Sequence, residues 1–310
     1  MALGEGVGAR PFLPPALVDL LRKCLRASGT MLRNDSLVVF VCGAKHEDGV
    51  SSGRQELVRY ARRHLSQFSF FEAEEAFRAL MGRTSQDLLS LEDRFAGFSD
   101  CILVVVESPG SIAELGAFAI KDELARIMLV VNDKRYEHDP SFISDGPIKK
   151  LNRKSRFKPV IHTNIAGILA IGPQVASRLK LIEPRYRKRV RLGKVEQFRQ
   201  CREKHRMLFL CDLIGLFCPI TFKELLGVLK DLYRARRLQI HIELGMLKAL
   251  DMVYEADGYL MRTVDARGFF YDFEDLDLAV LRAQVVRHIH RFHRDRSRML
   301  ISRSLGDYDV

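Results

Sequence analysis

The run Ile102-Leu103-Val104-Val105-Val106 most constrains what this chain can fold into. An unbroken series of apolar, mostly β-branched residues has no polar face. The strand it predicts must be covered on both sides, as strands of parallel sheets are. Glu107-Ser108-Pro109-Gly110-Ser111 follows at once, and then a helical pattern from Ile112 to Leu124 with Glu114 in its opening turns. That order sets backbone N–H groups, hydroxyls and two carboxylates at the carboxyl edge of a sheet, where open α/β folds bind ligands.

The flanking segments repeat the alternation. Leu37–Cys42 reads as a first strand closed by Gly43, Ser51–Phe68 as a helix capped by Ser51 or Ser52, and Phe68–Phe71 as a second strand. Ser90–Phe98 reads as a helix, Ile127–Val131 as a strand and Pro159–His162 as an edge strand. Strands alternating with helices predict a parallel sheet with crossover helices, here an α/β domain over residues 1–170. A basic helical connector is expected over 171–206. From 207 to 310 the texture changes. Met207–Cys218 is an apolar helix halted by Pro219, and Thr221-Phe222-Lys223-Glu224 is a capping box that opens a second helix. Ile240–Leu250 forms a third, and Ala256-Asp257-Gly258 marks a hairpin. Three helices and a hairpin are the order of a winged helix, although a helical bundle making only protein contacts gives the same string.

The net charge of +11 is concentrated: residues 178–206 hold 12 basic and 3 acidic residues. Arg185, Arg187, Lys188, Arg189 and Arg191 are its densest part. A polyanion such as nucleic acid is one partner this implies, and a solvated linker helix is the alternative. The tail Arg282–Arg303 reads as a solvated basic helix. No apolar stretch approaches the roughly 18 residues of a membrane span, and residues 1–15 lack the order of a signal peptide. The 6 cysteines lie mostly in apolar runs without CxxC spacing. They predict buried thiols in a reducing cytoplasm, with a lone catalytic cysteine as the alternative, and the His spacing predicts no metal site.

Glu114 is the first candidate for chemistry, because an ionised carboxylate stabilises or captures an oxocarbenium-like sugar carbon. A plain acidic residue favoured by the helix dipole accounts for its position equally well. Gly110 lets backbone approach a ligand and Ser108 and Ser111 can donate to phosphate or ribose, while the same residues also serve as ordinary turn punctuation. Glu107 ends the strand where ribose hydroxyls could be met, Arg54 could reach a phosphate, and Glu74 lies beyond the second strand. Gly43 stands where a nucleotide-binding turn begins, yet no GxGxxG or GxxxxGK[ST] follows. That excludes a Rossmann dinucleotide site and a P-loop.

These residues in order resemble the retron effectors of the nucleoside deoxyribosyltransferase-like type, bacterial anti-phage toxins. The resemblance rests on Phe40-Val41-Cys42-Gly43 with Arg54, Leu88-Leu89-Ser90-Leu91-Glu92 and Glu107-Ser108-Pro109-Gly110-Ser111 with Glu114-Leu115-Gly116-Ala117-Phe118. It continues through Ser141-Phe142-Ile143, Gly146-Pro147 and Asp257-Gly258-Tyr259. It implies a flavodoxin-like N-glycosidase domain in which Glu114 acts at ribose C1′, with Gly43, Arg54, Glu74, Glu107, Ser108, Gly110 and Ser111 around the substrate. NAD or a related nucleotide is that substrate, and no cofactor is needed. It further implies a winged helix and basic connector that dock a reverse transcriptase and its branched RNA–DNA product, multicopy single-stranded DNA. That complex holds the toxin inactive; homo-oligomers are compatible with it. The chain departs from true deoxyribosyltransferases, which carry an Asp-containing turn where this chain has Glu107-Ser108-Pro109, so hydrolysis fits better than base transfer. Two other readings stay open: a nucleotide-sensing DNA-binding regulator without turnover, and a deoxyribosyltransferase in salvage.

Overall fold

The computed structural model describes residues 13–27, 30–32, 36–44, 51–72, 74, 88–182, 188–192, 194–233, 237–263, 268–273 and 275–306. The apolar runs form a five-stranded, wholly parallel sheet from β2 (Leu37–Cys42), β3 (Phe68–Glu72), β4 (Cys101–Val106), β5 (Met128–Asp133) and β6 (Ile161–Thr163). Its order is β3-β2-β4-β5-β6, so β4 is central and fully buried. The direction of winding reverses between β2 and β4, and at such a point the loops leaving the strands diverge and open a crevice at the carboxyl edge.

Alternation along each strand divides the core. Val39, Val41, Leu103, Val105, Leu129 and Val131 face α2 (Gly53–His64) and α6 (Gly172–Leu179), through Leu57, Val58, Ala61, Val175 and Leu179. Phe40, Phe71, Ile102, Val104 and Val130 face α3 (Leu88–Phe98) and α4 (Pro109–Ile120), with α5 (Lys149–Lys154) beyond. There Phe40 stacks on Phe71 with ring centres 5.0 Å apart and meets Phe95 and Phe118 edge-on. Burying aromatic rings in pairs adds a geometric preference to the area removed from water.

The phenylalanine-rich core runs without a break into the C-terminal helices. These are α7 (Glu203–Phe217), α8 (Phe222–Tyr233), α9 (Arg237–Ala249), α10 (Leu278–Phe292) and α11 (Arg294–Gly306). A short strand β8 (Ile220–Thr221) lies between α7 and α8, and β9 (Val253–Ala256) and β10 (Tyr259–Arg262) form the hairpin after α9. The three strands make an antiparallel sheet in the order β8-β10-β9. Asp257 and Gly258 at the hairpin tip have φ of 50° and 77°, the left-handed pair that a two-residue hairpin turn requires. The capping box is formed: Glu224 accepts from the Thr221 N–H at 2.9 Å while its own N–H donates back to Thr221 Oγ1 at 3.3 Å.

Two expectations from charge and periodicity change. The stretch 171–206, expected to be a helical connector, contains the strand β7 (Lys188–Val190). With β11 (Tyr271–Phe273), β7 pairs antiparallel with β1 (Thr30–Leu32), which follows α1 (Pro15–Ala27). Local propensity gave way here to pairing with a segment remote in sequence. The basic excess is also partly internal. Arg178 donates to the carbonyls of Phe157, Lys158 and Pro159, and Arg206 pairs with Glu243 at 3.1 Å in the interior. In the tail, Arg282 donates to the carbonyls of Leu216 and Cys218, and Arg296 ties Glu224 and the Pro219 carbonyl. Only part of the basic count is left for a polyanion.

Lys204 is wholly buried, and its ammonium lies 2.5 Å from Asp100 Oδ2, at the amino end of β4. Asp100 also accepts the Val38 N–H at 3.0 Å, and Arg202 and the Arg94–Glu203 pair surround this contact. The parallel sheet and α7 are thus joined by a buried ion pair at the edge opposite the carboxyl crevice. Removing one partner from such a pair strands a charge, at a cost of about 3–5 kcal/mol, whereas replacing both charges by neutral groups of similar volume is far milder. We expect Asp100→Ala alone to lower the unfolding free energy by that amount in urea titrations, and Asp100→Asn combined with Lys204→Met to lower it much less.

Candidate functional site

Glu107, the first polar residue after β4, is held by backbone. Its Oε1 accepts the N–H of Ala44 and of Arg54, both at 3.0 Å, and its Oε2 accepts the N–H of Gly53 at 2.9 Å. The carboxylate therefore fills the N-terminus of α2 and closes the loop leaving β2, where anion-binding folds place a phosphate. Two glycines make room for it. A Cβ on Gly43 would lie 2.7 Å from Arg54 Cβ and 2.9 Å from Glu107 Oε1, and one on Gly53 would lie 2.8 Å from Glu107 Oε2. Glu107 is thus an internal brace at the strand end where the sequence suggested a ribose contact, and Gly43 packs against it.

Ser108 caps α4 and Ser111 answers it. Ser108 Oγ accepts the Ser111 N–H at 3.2 Å, while Ser111 Oγ accepts the N–H groups of Glu107 and Ser108 and donates to the Ser108 carbonyl. These hydroxyls shape the turn, and Ser111 is buried. Gly110 is exposed, and a Cβ there would meet nothing closer than Ser108 Oγ at 3.8 Å, so the turn does not require glycine.

The turn aims Glu114 toward α3 and β2. There Arg54 is buried, pairing with Glu72 at 3.0 Å and with both oxygens of Glu74 at 3.2 Å. Cys42 and Glu92 complete the group around Glu114. Among the described residues, Glu114 Oε2 and Arg54 Nε are buried without a hydrogen-bond partner. Burial, then the neighbouring Glu92 and Glu74 charges, push the Glu114 carboxyl up to about 7, against the opposing pull of Arg54 and the Cys42 thiol. Burial, then Glu114 and Glu92, push the Cys42 thiol well up, so it is a neutral neighbour and no nucleophile. An unsatisfied buried carboxyl oxygen with a raised pKa at a sheet's carboxyl edge is a mark of a reacting group.

A cleft of about 580 Å³ opens on the other side of α4, lined by Val106, Ser108, Ile112, Asn132, Tyr136 and Ile165 among others. Residues two apart on a helix point to opposite faces, so Ile112 lines the cleft while Glu114 faces the carboxylates. Asp133 beside it is closed by Arg135, which pairs at 2.7 Å and pulls the Asp133 carboxyl down.

Of the residues read from sequence, the structure brings Arg54, Glu74 and Glu114 together, and Glu107 with Gly43. Cys42, Glu72, Glu92 and Asn132 were missed as site residues, although Glu72 and Asn132 end apolar strand runs at the productive edge. Arg185 and Arg187 lie outside the described residues, Lys188 and Arg189 are in β7, and Arg191 is exposed just after it. Among the described residues no His, Cys, Asp and Glu side chains are grouped to hold a metal ion, and no helix is long and apolar enough to cross a membrane.

The model of the STM3845 retron effector protein family matches residues 50–255. A relative in Escherichia coli, named "Retron Ec73 putative ribosyltransferase/DNA-binding protein", is 27% identical over 257 residues, covering 76% of this chain and 80% of its own length. A second from the same species, "Retron Ec86 putative ribosyltransferase/DNA-binding protein", is 35% identical over 132 residues, 41% of either chain.

Two outcomes follow from this geometry. Glu107→Gln sets an amide N–H₂ against backbone donors, and leaving such a buried group unpaired costs about 1–3 kcal/mol; its Tm should fall accordingly. Glu114 resists ionisation in the folded chain up to about pH 7, while the unfolded chain ionises from the ordinary carboxylate range. Folded stability therefore declines as pH rises between those limits, and the loss is complete above the upper one. Glu114→Gln should melt higher than wild type near pH 8, with the gap closing toward pH 5.

Proposed function

Because this chain belongs to the STM3845 retron effector protein family, we propose that it is an anti-phage effector whose Glu114 cleaves the N-glycosidic bond of NAD or a related nucleotide. The carrying observation is the half-buried Glu114 carboxyl, with one oxygen unpartnered, at the reversal point of the sheet. Nicotinamide is joined to ribose through a cationic ring nitrogen. When the bond breaks, the ring takes the electron pair and leaves neutral, so no acid is needed. What C1′ needs is a nearby anion that stabilises the oxocarbenium-like state or captures it as an ester. Water then adds its hydroxyl to C1′ and releases a proton, giving ADP-ribose. Glu72, Glu74 and Glu92 beside Arg54 make the surroundings acidic, which suits a cationic ring.

The strand order supports a flavodoxin-like sheet of the deoxyribosyltransferase-like type: numbered within the sheet it is 2-1-3-4-5. Helix, short strand, two helices and a hairpin, with strands in the order β8-β10-β9, support a winged helix. We read that module and the basic stretch around Arg191 as the docking side for the reverse transcriptase and its RNA–DNA product, which restrain the enzyme. The relatives' names, which join ribosyltransferase to DNA binding, agree with this division. Base transfer is the second reading, favoured by the same names.

The test is nicotinamide release from NAD by the purified protein. Glu114→Gln should reduce it by about 10²-fold or more, and equal release would remove Glu114 from its role. Because the ionised form acts, wild-type kcat/KM should rise with pH through about 7. Base exchange from a deoxynucleoside donor, without hydrolysis, would favour the second reading.

A further inference from the structure

A winged helix that reads duplex DNA lays its third helix in the major groove, and that helix needs one free face to do so. The third helix of this module, α9, has none along its middle. Ile240 and every residue from Ile242 to Leu247 are buried, and His241 stacks on Phe222 with ring centres 4.1 Å apart. Glu243 is paired with Arg206, and Lys248 with Glu255 of the hairpin at 2.5 Å. The module presents an open basic surface elsewhere, on α10 and α11. From 278 to 306 the sequence holds 7 Arg and 3 His against a single acid, Asp295. Packing sorts these arginines. Leu281, Val285 and Ile289 face the core, so Arg287 and Arg291, two residues beyond Val285 and Ile289, stand on the opposite face of α10. Arg296 turns inward to Glu224 and the Pro219 carbonyl, 4.8 Å from the Tyr259 ring. Arg294 and Arg298, two residues to either side of it, therefore face out. All four outward arginines are exposed, and among the described residues none of them is paired with a carboxylate.

At the bend between the two helices Phe292 is 50% exposed. Its ring centre lies 5.2 Å from the Arg291 guanidinium and 4.8 Å from the His288 ring, and His290 Nδ1 is 2.5 Å from Ser297 Oγ across the bend. An exposed aromatic ring among unpaired cations gains nothing from a duplex, whose bases are already stacked, but it gives an unpaired base a surface to stack on. We propose that the α10–α11 face holds an unpaired nucleic-acid strand, with Arg287, Arg291, Arg294 and Arg298 on its phosphates and Phe292 against a base. Such a contact senses charge and the flat faces of bases, and it lacks the base-edge hydrogen bonds that read sequence. An acidic protein surface would satisfy the arginines and leave the exposed ring without a role. This inference rests on the reading of the C-terminal module as a docking side for nucleic acid, and it adds which face binds and which form of the strand.

The experiment measures binding of a fluorescent mixed-sequence DNA oligonucleotide to the whole chain, single-stranded or annealed to its complement, over a series of salt concentrations. Wild type should bind the single strand about tenfold more tightly than the duplex, and equally well when its sequence is scrambled. The log–log salt slope should be about −3, from about −0.7 for each phosphate contact. Arg287→Gln and Arg298→Gln should each flatten that slope by about 0.7. Phe292→Ala should weaken single-strand binding by about tenfold and leave the slope unchanged, in a protein that melts as wild type does. Preference for the duplex, or for one duplex sequence over its scrambled form, returns the contact to α9 and overturns the proposal. Equal affinity for strand and duplex with Phe292→Ala unchanged overturns the assignment of an unpaired strand. Loss of binding in Arg191→Gln, with none in the α10–α11 variants, overturns the face and keeps the wider docking reading. Binding of neither probe by wild type overturns both and leaves an acidic protein as the occupant.

Discussion

The carboxylate of Glu107 is the contact on which the carboxyl edge depends. Three backbone N–H groups from the β2 exit and the α2 N-terminus converge on it across the point where the sheet reverses. That joins two segments more than 50 residues apart, and it requires Gly43 and Gly53, where any Cβ would collide. With α2 so placed, Arg54 enters the interior and gathers Glu72 and Glu74. The Ser108–Ser111 turn that starts from Glu107 then fixes where α4 begins, and so where Glu114 points.

An internal carboxylate at a helix N-terminus has a chemical consequence. The anion position that other open α/β folds offer to phosphate is already filled here, and the neighbouring group is acidic. The proposed cleavage of a bond to a cationic leaving group accords with that acidity. The raised carboxyl of Glu114 follows first from its burial and then from the Glu92 and Glu74 charges beside it, and stability given up at a functional site is a common pattern.

The opposite edge of the sheet is occupied by the Asp100–Lys204 pair, which sets the parallel sheet against α7. Two layers of the molecule thereby share one phenylalanine-rich core, and the basic residues of 202–206 serve that junction instead of an outside partner. The exposed face available to a polyanion is smaller than the charge count implies.

Much of the fold was legible in the residues themselves. Unbroken apolar runs dictated buried parallel strands, Ser51 or Ser52 and Thr221 announced helix starts, and Asp257-Gly258 announced the hairpin, because each depends on local backbone chemistry. Glu114 could be named for the same reason, as the carboxylate following a turn at a strand's carboxyl end. Tertiary structure alone decided the rest. Whether Glu107 met substrate or backbone, whether Lys204 faced solvent or Asp100, and whether 188–190 coiled or paired with β1 each depended on a partner distant in the chain. Local sequence determines conformation through neighbours a few residues away, while burial and charge pairing are set by whichever remote segments the sheet brings together.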